Sequence, residues 1–117
     1  MAQVTGIGGV FFRALDPKAL AEWYDTHLLH QSGAPTWAQA AGPTVFAPFP
    51  ADTDYFPADK AFMLNLRVDD LSGMIAALNA AGIATETRAE WDGPYGRFAR
   101  LHDPEGNPIE LWQPPAA

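Results

Sequence analysis

The chain contains no cysteine, so disulfides, thiolate metal sites and cysteine nucleophiles are all excluded from its chemistry. No apolar run approaches the length needed to span a bilayer. The opening MAQVTGIGGV has neither the basic region nor the long apolar stretch of a secretory signal. A cytoplasmic protein without a membrane partner is therefore expected. Basic residues are scarce: seven Lys and Arg stand against fourteen Asp and Glu, for a net charge of −7. Such a balance offers no basic stripe to a phosphate backbone, which argues against nucleic acid as a partner. Catalytic fingerprints are missing too. There is no GxxxxGK[ST] phosphate loop and no Gly-x-Ser-x-Gly nucleophile elbow, and GIGG (6–9) lacks the spacing of a dinucleotide site.

What is present suits one folded domain of 117 residues, 48% hydrophobic and 18% charged. IGGVFFRAL (7–15) reads as a strand. DPKALAEWYDTHLL (16–29) reads as a helix with Asp16 as cap and Pro17 at its first position. AFMLNLRV (61–68) is a second such strand, followed by the helix DLSGMIAALNAAG (70–82), where Leu71, Ile75 and Leu78 form a buried stripe and Gly82 a stop. Aligning the two caps lays Asp16 on Asp70, Arg13 on Arg67, Phe11 on Asn65 and Gly9 on Met63, an internal repeat of half the chain. Further strand-like segments follow each helix: PTWAQA (35–40) and PTVFAPF (43–49), then ATETRAEW (84–91), GRFARLH (96–102) and PIELWQ (108–113). The reading is α+β, with two βαβββ modules at about 5–50 and 61–114. The Pro- and Asp-rich PFPADTDYFPADK (48–60) forms a surface linker between them.

The opening strand, Asp16 before a helix bearing Trp23 and Tyr24, the second strand ending at Val68-Asp69 and the closing DPEGNPIEL (103–111) together resemble the vicinal oxygen chelate superfamily. That group holds glyoxalase I, bleomycin-binding proteins, extradiol dioxygenases and fosfomycin-modifying enzymes. The resemblance covers essentially the whole chain; Leu29 departs from it, standing where the family often has a helix-ending glycine. It implies a cupped mixed sheet with helices outside and ligands inside, and a homodimer by analogy with folds of this length.

Period-2 alternation then sorts side chains onto the cup face. Phe11 and Arg13 share one face of the first strand; Met63, Asn65 and Arg67 share one in the second; Phe98, Arg100 and His102 lie together, as do Glu110 and Trp112. The resemblance places the metal ligands of its metal-using members at Gly9, within VFAPF (45–49), at Met63 and at Glu110. Only Glu110 suits a divalent cation, so no metal or other cofactor is expected. Glu110 is open to three roles: an ion pair with Arg67 or Arg100, a general base, or a hydrogen-bond acceptor for ligand. His102 is the histidine nearest that chemistry, though stabilising the Asp103 turn suits it as well. Phe11, Arg13, Asn65, Arg67, Phe98, Arg100 and Trp112 are the candidate ligand contacts, the arginines matching a carboxylate in geometry. Trp37, Phe46, Phe49, Tyr55, Trp91 and Tyr95 stay open between core, interface and cup.

The expectation is a metal-independent protein that binds a small aromatic or carboxylated molecule, with or without turnover, with Glu110 and His102 the catalytic candidates. Two alternatives are a divalent-metal-dependent lyase, isomerase or dioxygenase built on Glu110 and His102, and a non-enzymatic accessory subunit with a vestigial cup.

Overall fold

The computed structural model describes residues 1–116. Helix α1 (Pro17–Tyr24) opens where Asp16 accepts the Ala19 N–H at 3.1 Å and proline occupies the first turn. Glu105, from the closing turn, accepts the Leu15 and Asp16 N–H groups at 2.7 and 3.0 Å, so a distant carboxylate fixes the chain as it enters the helix. After Tyr24 the helix widens into a π-turn (Asp25–Leu29), and His30 leaves it at φ 50°. Leu29 remains helical and the left-handed step falls one residue later. The Asp25 carboxylate makes that step tolerable by accepting the N–H groups of Gln31, Ser32 and Gly33. Those bonds, that of Gly33 foremost, hold its pKa below the ordinary carboxylate value.

The second half forms strand β1 (Leu64–Arg67), helix α2 (Leu71–Ala80), a short 3-10 turn (Ala89–Trp91), and strands β2 (Arg97–His102) and β3 (Pro108–Gln113). Asp70 caps α2 by accepting the Gly73 N–H at 3.0 Å, the counterpart of Asp16 on α1, as the repeat requires. The sheet order is β1-β3-β2, with β3 parallel to β1 and antiparallel to β2. Glu86 extends it by a single bridge to Arg100.

Between β2 and β3 the turn is built on Asp103. Its Oδ1 accepts the N–H groups of Glu105 and Asn107 at 2.9 and 3.0 Å; its Oδ2 accepts Asn107 Nδ2 at 2.8 Å and the Tyr24 hydroxyl at 2.7 Å. Burial and the Asp103 carboxylate raise the Tyr24 pKa above its ordinary value. Gly106 supplies the φ of 81° that the turn needs.

Register separates the two faces of the sheet. Leu64, Ile109 and Leu101 form one cross-strand row and Leu66, Leu111 and Ala99 the next, and these meet Leu20, Tyr24 and Leu28 of the first helix and Leu71 and Leu78 of α2. The helices lie on that side. The opposite face carries Asn65, Arg67, Phe98, Arg100, Glu110 and Trp112.

Both halves depart from the expected module, the first in its strands and the second at 84–91. Residues 7–15, 35–40 and 43–49 form no ladder, and 84–91 supply one bridge and a 3-10 turn; the described residues hold three strands in place of eight. Pro35, Pro43, Pro48 and Pro50 lack the N–H a ladder requires. Val10, Phe11, Val45 and Phe46 remain exposed, without a facing strand among the described residues. Phe12 reaches the core beside Tyr24 and Phe62, which ties this segment to the rest.

Candidate functional site

Across the face turned away from the helices, β-sheet register aligns Asn65, Glu110 and Arg100 side by side in one row, and Arg67, Trp112 and Phe98 in the next. Glu110 and Arg100 are only 7% and 9% exposed. Neighbouring buried groups of opposite charge would ordinarily pair. These do not: the ion pairs among the described residues are Arg88 with Glu86 and Arg97 with Asp92, and the ion pair expected of Glu110 with Arg67 or Arg100 is absent.

The linker supplies what Glu110 takes instead. Tyr55 donates its hydroxyl to Glu110 Oε2, and Asn65 Nδ2 donates to Oε1 at 2.7 Å. Arg100 donates from Nη2 to the Tyr55 carbonyl at 2.9 Å. Its guanidinium carbon lies 5.0 Å from the Tyr55 ring centroid and 5.6 Å from that of Trp91, within the range of cation–π attraction. Arg100 Nε is buried with no hydrogen-bond partner. A buried donor left unpaired costs on the order of 1–3 kcal/mol, more for a charged group. Residues 48–60 therefore form a strap over the polar row, with Phe49 stacked on Tyr55 at 5.6 Å.

In the second row Phe98 and Trp112 are near-parallel, 6.4 Å apart, and Trp112 Nε1 donates to the Tyr95 carbonyl at 2.7 Å. That bond ties the turn at residues 93–96 to β3. Arg67 Nη2 donates to the Ala40 carbonyl at 3.0 Å, and its guanidinium fills the space a Cβ on Gly42 would need. Arg13 and Phe11 are exposed, Phe11 fully so, and the structure does not bring them to the row. His102 lies apart as well. It is exposed at the end of β2 and lines a shallow groove of about 280 Å³ with Trp23, Ile83 and Pro104, next to a second of about 230 Å³ that Trp23 and Pro104 share with Leu20.

The donor set does not fit a divalent cation. No group of three His, Cys, Asp or Glu converges among the described residues. Both Glu110 oxygens are engaged by neutral donors, and His102 faces another groove. Alternation assigns Asn65, Arg100 and Glu110 to the cup face, and the structure brings the three into one row. Sequence reasoning leaves Tyr55 and Trp91 unassigned, although DYFP in a polar linker was a signal: an aromatic pair there needs an apolar surface to cover.

The model of the glyoxalase-like domain matches residues 9–112. The chain belongs to this family, and with it to the vicinal oxygen chelate superfamily. TnmS3, an antibiotic-binding protein from Streptomyces sp. CB03234, is 30% identical, with 86% of this chain and 88% of that chain covered and a TM-score of 0.49. A glyoxalase/bleomycin resistance protein from the same organism is 37% identical over 52% of this chain and 54% of its own, with a TM-score of 0.36. No curated protein matches the chain.

Proposed function

We propose that the protein is a metal-independent, cytoplasmic binding protein whose strap-covered sheet face takes a small aromatic or carboxylated organic molecule. The observation that carries this reading is Arg100: a buried guanidinium beside two aromatic rings, with Nε unpaired and the Glu110 carboxylate in the same row but not bonded to it. Such a group presents charge and hydrogen bonding to a flat, acceptor-bearing ligand without first breaking an ion pair. The relative that is 30% identical across 86% of the chain is an antibiotic-binding protein, which supports small-molecule binding. His102, the other catalytic candidate, lines a groove apart from the Glu110 row, which favours binding over proton transfer by the pair.

The binding unit is a homodimer in which the first-half segments gain strand partners and the two βαβββ modules are completed. Excess surface supports this. The chain exposes 8583 Å², against roughly 6,200 Å² for a folded monomer of 12.7 kDa, an excess of roughly 2,300 Å². An ordinary stable interface buries about 1,200–2,000 Å² in total, roughly 600–1,000 Å² of it from each chain, so the excess is more than one such interface requires.

Thermal-shift screening of aromatic antibiotics and carboxylated arenes tests the reading. At a ligand concentration near 100 Kd, binding adds about 2.7 kcal/mol of stability, and Arg100→Gln should abolish that shift while remaining folded. A panel that shifts neither protein would sink the proposal. Elemental analysis after incubation with Ni, Zn, Mn and Fe(II) should find well below one metal per chain; stoichiometric metal, lost in Glu110→Gln, would overturn metal independence.

A further inference from the structure

Tyr55 occupies the polar row in the manner of a ligand. It presents an aromatic hydroxyl to Glu110, a ring to the Arg100 guanidinium and, through its own α and β carbons, a carbonyl acceptor to Arg100 Nη2. Its anchorage within the strap is light. The Tyr55 N–H donates to Thr53 Oγ1 at 3.2 Å, Phe49 stacks on the ring, and the backbone bonds of the segment close only two turns, Thr53 to Pro50 and Lys60 to Pro57. No residue of 48–60 belongs to a strand or helix.

Tyr55 also leaves the site incompletely satisfied. Nε and Nη2 form one edge of a guanidinium, a fork that suits the two oxygens of a carboxylate. A single peptide carbonyl reaches Nη2 and leaves Nε buried without a partner. An outside molecule with a carboxylate at the same spacing would satisfy both, and Arg67 in the adjacent row, which faces the Ala40 carbonyl and no carboxylate, adds positive charge against the extra anion.

We infer that Tyr55 is a displaceable in-chain occupant, and that the ligands of this site are hydroxyaryl carboxylates. The ligand hydroxyl takes the place of the Tyr55 hydroxyl on Glu110, its ring lies along Arg100 and Trp91, and its carboxylate takes the Nε and Nη2 edge. This rests on the small-molecule-binding reading and names its ligand class. It also gives the strap a function: the site stays covered until a molecule with both groups arrives.

Isothermal titration with three probes tests it on wild-type protein and Tyr55→Phe. The first is para-hydroxyphenylpropionate, which reproduces the spacing of tyrosine. The others are phenylpropionate, without the hydroxyl, and para-propylphenol, without the carboxylate. The complete probe should bind wild type at least ~10-fold tighter than either truncated one, the cost of an unmade bond to a charged group. Tyr55→Phe, whose strap has lost its bond to Glu110, should bind it a further ~10-fold tighter, and the Trp91 indole N–H resonance should move. Equal affinities for the three probes, or an affinity unchanged by Tyr55→Phe, would overturn the inference while leaving an arene-binding face in place. Binding of no probe to either protein would overturn the ligand class; the thermal-shift panel then decides separately whether the binding reading fails with it.

Discussion

Four hydrogen bonds converge on the carboxylate of Asp103, three from its own turn and one from Tyr24 on the first helix. Asp103→Ala strands a buried hydroxyl and frees the turn that sets the register of β3. It should cost about 3 kcal/mol in urea denaturation, whereas Asp103→Asn, which keeps an acceptor, should cost less. Tyr55 carries a different signature. Burial, followed by the hydrogen bond and charge of Glu110, pushes its hydroxyl up to about 12. A pKa raised by folding means that the native state holds its proton after the unfolded chain has released it. The contribution is complete below about pH 10 and is lost as pH rises towards 12. Between about pH 10 and 12 the stability of wild type should therefore fall more steeply than that of Tyr55→Phe, with the Tyr24 contribution common to both; identical slopes would mean that the strap is not seated on Glu110 in solution.

Strand β3 joins the two partners of the sheet and both of its faces. Ile109 and Leu111 are fully buried against the helices, while Glu110 and Trp112 alternate with them on the opposite face. Leu111→Ala should cost about 2–5 kcal/mol in equilibrium unfolding and should disturb the polar row with it. This alternation explains why β1, β2 and β3 could be read from sequence, whereas ATETRAEW in the same half, also read as a strand, supplies one bridge and a 3-10 turn. PIELWQ was delimited correctly, and Asp70, Gly82 and the Asp103 turn are local signals acting on their own neighbours. The same rules failed in the first half. IGGVFFRAL alternates correctly, but alternation reports which face a strand would bury and cannot supply the strand that pairs with it. Tyr55 escaped for a related reason: its contacts are 45 to 55 residues away, and local composition describes only a polar linker.

At the scale of the molecule, the radius of gyration is 15.0 Å, whereas a packed chain of this length would have about 13 Å. Phe11, Leu15, Val4 and Phe46 are 98, 96, 94 and 83% exposed, a load of apolar surface that water resists. Sedimentation should give twice the chain mass at micromolar concentration, and Phe11→Asp should shift it towards the monomer; a wild-type monomer throughout would contradict the dimer. The strand order has a further consequence, in the timing of assembly. On the ribosome β1 and β2 emerge before β3, yet neither touches the other without it. The hydrophobic sides of both must wait for residues 108–113, so the nascent chain passes through a stage with its helices made and its sheet unmade. A ribosome stalled before Pro108 should hold a protease-sensitive chain, and one stalled on an added C-terminal extension long enough to carry Gln113 clear of the exit tunnel a resistant one.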